Sequence, residues 1–320
     1  MSFKTYNIVF LFLFVGFVTC LGIFISLIDP YWLFHNDPIW NDRNHGCNRI
    51  LDIKQRFTKP LQVFFARPKI VFVGSSRVYR GIPTEIYANN YELYNFGISS
   101  MRIRELQAYT LHAVRWAPVE KVVLGIDLFM FNNFKKCESG FDPDTNSLGY
   151  LYKSLLTSLM TTMAIDDVRT VLKGTHSNDG YWTKSGFKHS NPRSVKQILK
   201  ILKSFYVDKF IVTEDEYNSF YDLIDKLKYS GIDVTVYISP LNRIMIERMR
   251  EKGRYKMFLS WKNRIKKDIQ EKNIKFFDFS EINPFFDDNM MSGSTNYWID
   301  TSHFSPIVGD WIIRKLSVLK

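Results

Sequence analysis

The stretch "KIVFVGSSRVYRG" (69–81) decides the fold. Its first half is a short run of Ile, Val and Phe bounded by Gly74, which predicts a buried strand ending in a tight turn. Its second half opens a helix, with serines at the turn where the chain leaves the strand. Three further runs read the same way: "KVVLGID" (121–127), "DVTVYIS" (233–239) and "IKFFDFS" (274–280), with a weaker one in "YELYNFG" (91–97). Helical patterns separate them at 102–117, 213–230, 243–272 and 305–318. Strands alternating with amphipathic helices predict an α/β fold, a three-layer, doubly wound parallel sheet of flavodoxin-like plan. Ligands of such sheets bind beyond the carboxyl ends of the strands.

Working outward, the amino-terminal stretch "YNIVFLFLFVGFVTCLGIFISLI" (6–28) carries no charge and ends at Asp29-Pro30. At 1.5 Å per residue, about 20 apolar residues cross the hydrocarbon core. The stretch is long for a signal-peptide core and no A-x-A site follows, so residues 1–29 read as an uncleaved transmembrane anchor. Only Lys4 precedes it, whereas Arg43, Arg49, Lys54 and Arg56 follow. That count does not favour a cytoplasmic amino terminus. Short tails with one lysine nevertheless commonly precede exported domains, and a periplasmic or extracytoplasmic domain is the orientation expected. Residues 30–67 read as a connector, with Tyr31, Trp32 and Trp40 suited to the membrane interface. The α/β domain takes 68–320. A turn-rich insertion at about 135–212, helical near 148–173, is expected to form a lid or docking element.

The 320 residues carry 43 Lys plus Arg against 32 Asp plus Glu, a net charge of +11. Such a balance suits anionic partners. The densest basic group, "WKNRIKKDIQEK" (261–272), reads as a solvated helix face, and no zinc-finger or RNP-type spacing points to nucleic acid. Cys20, Cys47 and Cys137 form no metal spacing. Cys47 and Cys137 are a candidate pair in an oxidising compartment. His35, His45, His112, His176 and His189 suggest no metal either, and His112 reads as a helix-face or core residue.

Chemistry comes from two remote segments. Ser75 and Ser76 follow the first strand. "WIDTSHFSP" (298–306) precedes the last helix, and its loop reaches the same carboxyl edge. Asp300 and His303 can share one turn, the carboxylate holding one imidazole nitrogen while the other faces Ser76. Each piece alone has a plainer reading, the serines as a helix cap and the Asp-His pair as a surface contact. Together they make a specific pattern.

In these blocks the chain resembles the SGNH (GDSL-like) hydrolase superfamily. Gly74-Ser75-Ser76 matches its first block and Asp300-Thr301-Ser302-His303 its last. The resemblance covers roughly residues 68–314, with the insertion unmatched. It implies Ser76 as nucleophile, His303 as general base and Asp300 as the acid that orients it. It also implies an oxyanion hole from the Ser76 and Gly97 backbone N–H groups, Gly97 lying in "YNFGISS" (94–100). No cofactor or metal is implied.

One block departs. "VLGIDLFMFNN" (123–133) places Asp127 where the family carries an oxyanion-hole asparagine. A carboxylate facing a developing oxyanion is destabilising. Either Asp127 is turned away or protonated, or Asn95 or Asn132 substitutes, or the hole has two donors. Arg77 and Arg80 are candidates to hold an anionic substrate; solvated arginines are the plainer reading.

An anchor followed by such a domain is similar in plan to envelope proteins of teichoic-acid D-alanylation and of peptidoglycan or alginate O-acetylation. That plan implies an acylated envelope glycan as substrate and a membrane-bound O-acyltransferase as partner. A small-molecule or lipid ester hydrolase and a non-catalytic binding protein using the same crevice are the alternatives.

Overall fold

The structure, a computed structural model, describes residues 3–33, 50–87, 92–134, 137, 140–173, 181–183, 186–188, 210–288, 290 and 293–318. His35, Trp40, His45, Cys47, His176 and His189 lie outside these residues, as does most of the predicted connector.

Helix α1 (Phe3–Ile28) is long and apolar enough to cross a membrane, judged by length and composition, and nearly all of it is exposed. Helix α2 (Gln55–Ala66) follows, then β1 (Ile70–Gly74), the short α3 (Ser76–Gly81) and β2 (Leu93–Gly97). Next come α4 (Ile103–Trp116), β3 (Lys121–Ile126), α5 (Leu148–Met160) and α6 (Thr162–Leu172). Strands β4 (Tyr181–Thr183) and β5 (Gly186–Lys188) pair as an antiparallel ribbon. The chain then runs through α7 (Glu214–Tyr229), β6 (Asp233–Ile238), α8 (Arg243–Glu251), α9 (Tyr255–Glu271), β7 (Lys275–Asp278) and α10 (Pro306–Lys315).

Five strands form one parallel sheet in the order β2-β1-β3-β6-β7. Successive side chains point to opposite faces. Val71, Val73, Val122, Leu124, Val234 and Val236 pack on one face with Leu106, Phe220, Trp261 and Ile265 of α4, α7 and α9. Phe72, Val123 and Tyr237 pack on the other with Val78 of α3 and Val308 and Ile312 of α10. All five predicted strands are present in this three-layer arrangement. Strand order reverses around β1, so the crevice of the doubly wound sheet opens beyond β1 and β3.

Two helical predictions are corrected in detail. The pattern at 243–272 is two helices, because Gly253 takes φ +64° and turns the chain between α8 and α9. The pattern at 148–173 is likewise two, with Thr161 closing α5 and its hydroxyl accepting from Ala164 N–H to open α6. Tyr31 is also corrected. It is only 1% exposed, and its hydroxyl donates to Asp167 of α6 at 2.6 Å, so it belongs to a protein interior rather than an interfacial belt.

Helix α2 contains Pro60, which has no N–H for the Arg56 carbonyl four residues back. The Tyr150 hydroxyl of α5 donates to that carbonyl at 3.3 Å. His112 of α4 is fully buried between two more carbonyls, Thr145 at 2.7 Å and Pro60 at 3.0 Å. Burial lowers its pKa, and the two carbonyl contacts oppose this with smaller effect. The folded state therefore favours the neutral ring, while the unfolded chain takes up a proton near the ordinary value of 6.5. Stability from this site is complete above that pH and is lost as pH falls toward the lowered folded value. Thermal melts from pH 7 to pH 5 should show a steeper fall for the native chain than for His112→Gln. Equal slopes would remove His112 as the cause.

Candidate active site

Three glycines clear the carboxyl edge of the sheet. Gly74 pairs in register with Gly97 on one side and Gly125 on the other. A Cβ at Gly97 would overlap the Tyr79 backbone, and one at Gly74 would meet the Gly125 carbonyl and Val78. This bare row lets α3 settle directly onto the strand ends. Ser75 caps α3 and Ser76 is its first residue, half-buried at the rim of the crevice.

The loop carrying Asp300 and His303 is held by its own aromatic residues. Trp298 and Phe304 form an isolated antiparallel bridge, and both are fully buried. The Trp298 indole donates to the Phe285 carbonyl at 2.8 Å. Ser305 then opens α10 with Pro306 at its first turn, where a missing N–H costs nothing. Phe304 lies against Gly81 at the end of α3, and Gly309 of α10 meets the Gly81 carbonyl where no Cβ would fit. The last helix thus seats on the backbone of the helix that carries Ser76.

The consequence is a continuous side-chain relay. Ser76 Oγ lies 2.8 Å from His303 Nε2. His303 Nδ1 lies 2.9 Å from both oxygens of Asp300, which is fully buried. Asp300 Oδ1 also accepts from the backbone N–H of Ser302 at 2.7 Å and of His303 at 2.9 Å. With a carboxylate fixed at Nδ1, the proton of a neutral ring sits there, leaving the Nε2 lone pair for the Ser76 hydroxyl proton. The structure brings together the three residues named from the sequence, over 227 positions of chain.

The other expectations are corrected. Gly97 N–H donates to Asn95 Oδ1 at 2.9 Å. The Asn95 amide donates in turn to the carbonyls of Val78, Tyr79 and Ile82 at 2.9, 3.3 and 2.8 Å. Neither group is thus available as an oxyanion donor; together they fasten β2 to α3. Asn132 Oδ1 accepts from Ile211 and Phe134 N–H groups. Ser76 N–H, by contrast, is engaged by no backbone hydrogen bond among the described residues and stays at the rim of the crevice.

Arg77 is corrected too. It is 3% exposed, and its guanidinium pairs with Asp127 and donates through Nε to the Ser302 carbonyl at 2.7 Å. Asp127 Oδ2 accepts from Ser75 Oγ at 2.5 Å. Asp127 is therefore buried and neutralised by Arg77, which pins the His303 loop. Sequence reasoning did not find this pin. A signal existed, since the two residues follow the paired ends Gly74 and Gly125 with opposite charge. Among the described residues, no three of His, Cys, Asp and Glu gather as a metal-binding group.

No protein-family model matches the chain, and no curated protein matches it. Solved structures do resemble it. A candidate platelet activating factor from Streptococcus pneumoniae is 12% identical with a TM-score of 0.43, over 83% of this chain and 91% of that one. A GDSL-like lipase from Bacteroides thetaiotaomicron is 12% identical with a TM-score of 0.39, over 80% and 90% respectively. A candidate acylhydrolase from Bacteroides fragilis is 12% identical with a TM-score of 0.39, over 78% and 86%. Likeness at these scores is loose, and the functional reading rests on the side chains instead.

Removing one partner of a buried ion pair leaves the other charge stranded, a cost of about 3–5 kcal/mol. Asp127→Asn should lower denaturation stability by roughly that amount. Asp127→Asn combined with Arg77→Met should be less destabilised than the two single changes predict. Additive losses in this double-mutant cycle would count against the pin.

Proposed function

We propose that this chain is an SGNH-type serine acyl-transfer enzyme acting on esters, with Ser76 as nucleophile, His303 as general base and Asp300 as its orienting acid. The observation that carries the reading is the 2.8 Å contact between Ser76 Oγ and His303 Nε2, backed by the two Asp300 contacts at 2.9 Å. Nucleophile, base and orienting carboxylate within hydrogen-bond reach are what acyl transfer through serine requires.

In this mechanism His303 Nε2 accepts the hydroxyl proton as Ser76 Oγ attacks the ester carbonyl. Asp300 stabilises the resulting imidazolium. The Ser76 N–H faces the oxyanion that forms on the carbonyl oxygen. Collapse returns the proton from His303 to the departing alcohol and leaves an acyl-serine. Water attacking the acyl-serine gives hydrolysis, and a glycan hydroxyl gives transfer, with His303 again taking the proton.

The substrate class proposed is an acylated, anionic envelope glycopolymer, with a membrane-bound O-acyltransferase as partner. An apolar helix long enough to cross a membrane and a net charge of +11 support it. On this reading the domain faces the periplasm or cell exterior. A second reading, a non-catalytic protein binding such a polymer in the same crevice, is favoured by one observation. Gly97 N–H and Asn95 are committed within the protein and Asp127 replaces a donor, and losing one oxyanion donor typically costs about a hundredfold or more in rate.

The two part in one experiment on the detergent-solubilised full chain with a fluorophosphonate probe and a chromogenic acetyl ester. The enzyme reading expects covalent labelling and turnover. Ser76→Ala should abolish labelling and lower turnover by about a thousandfold or more, while Ser75→Ala keeps the label. Absence of labelling, or labelling unchanged in Ser76→Ala, leaves the binding reading. Adding a glycan acceptor and identifying products separates transfer from hydrolysis.

A further inference from the structure

The hairpin of α5 and α6 packs against the end of the apolar helix α1. Ile25 and Ile28 of α1 share a buried cluster with Leu151, Ala164, Val168 and Val171, and Leu21, Leu155 and Leu159 pack around it. Asp167 ties the hairpin to Tyr31, just beyond α1, at 2.6 Å, and to Lys54 Nζ, at the start of α2, at 2.7 Å. The hairpin is thus fixed beside the last two turns of α1.

The outer face of α5 is apolar, whereas α6 exposes the Asp166–Arg169 ion pair. Leu148, Tyr152, Leu156 and Met160 recur every fourth residue along α5 and are 50%, 61%, 54% and 48% exposed. Residues four apart share a helix face, so these four form one stripe opposite the buried Leu151, Ser154 and Ser158. Such a row facing water would be costly in a soluble helix.

We propose that this hairpin is a second membrane contact, lying in the headgroup and upper acyl zone of the bilayer that α1 crosses, with Tyr152, Leu156 and Met160 against lipid. The proposal rests on α1 spanning the membrane. The 6–28 stretch matches the hydrocarbon thickness with little to spare, so Leu21 to Ile28 occupy roughly its last 10 Å. Whatever packs beside those turns lies at the same depth. The neighbouring outer surface of α1, including Ile23, Phe24 and Leu27, is about half exposed and meets lipid in a spanning helix. Because α5 packs beside turns of α1 at that depth, lipid is the occupant proposed for its exposed stripe. Exposed Lys153 on α5 and Lys173 beyond α6 fit the polar rim of an interfacial helix. The hairpin then holds the domain in a set orientation on the membrane instead of leaving it on a loose tether.

The native full chain, reconstituted into phosphatidylcholine–phosphatidylglycerol vesicles, tests this with phospholipid carrying a photoactivatable diazirine in its acyl chain. Adducts are expected on residues 148–160 as well as within 3–28. Adducts confined to 3–28 would overturn the hairpin contact while leaving the span intact; adducts in neither region would sink the span itself. Depth comes from a second measurement. In a full chain with Cys20, Cys47 and Cys137 changed to Ser, an environment-sensitive dye is placed at Leu156→Cys, Met160→Cys or, as control, Tyr229→Cys on α7. Lipid brominated near the headgroup should quench the first two about twofold and leave the control unchanged, as burial of some 5–10 Å predicts. Dyes at 156 and 160 that stay unquenched, or are shielded only as the protein-to-lipid ratio rises, would point to water or a second copy and refute the proposal.

Discussion

A buried guanidinium ties together the parts of this molecule that chemistry needs. Arg77 follows Ser76 directly, pairs with Asp127 at the end of β3 and donates to the Ser302 carbonyl beside His303. Three segments distant in sequence therefore meet on one side chain. A cation removed from water must find an anion and acceptors of good geometry, or the fold loses several kcal/mol. That requirement makes the relative placement of the serine turn and the histidine loop an all-or-none matter. Asp127, which would be harmful facing an oxyanion, serves here as the counter-charge and also accepts from Ser75.

Close backbone approach supplies the rest of the precision. Gly81 admits both the Phe304 ring and the backbone of α10 at Gly309, while Gly97 admits α3 at Tyr79. Contacts between main chains have little rotamer freedom, so they transmit position better than long side chains do. The serine rides on a helix clamped from both sides, by β2 through Asn95 and by α10 through Gly81. The same clamping removes Gly97 N–H and the Asn95 amide from catalytic use. A rigid mount is thereby gained at the expense of oxyanion donors, which is why a weakly active or binding-only protein stands as the competitor to a full enzyme.

The apolar helix and the crevice belong to one scaffold. Helix α2 packs on β2 and α4, while its residues Gln55 and Arg56 bond the backbone of Ser99 just past β2. The same helix supports α5, which in turn packs against α1. The segment between the apolar helix and the first strand is therefore structural in its second half, more than a spacer.

Much of this was legible in the residues. Short, near-continuous apolar runs named all five strands, and the glycine-serine turn with the late Asp-His pair named the relay. Those features depend on local pattern and on residue chemistry that few alternatives satisfy. Other features were not legible. Asn95 and Gly97 looked like donors because their types suit the task, yet a donor's use depends on which acceptor lies within 3 Å, and that acceptor was in their own neighbourhood. Arg77 read as a substrate contact until folding buried it. The sequence by itself determined the sheet, the apolar helix and which side chains form the Ser-His-Asp relay, because apolar pattern and chemical type are carried residue by residue. Only the tertiary structure decided which hydrogen-bonding groups remain unspent and how the apolar helix meets the domain, because a polar group's partners are settled by through-space neighbours that the order of residues does not list.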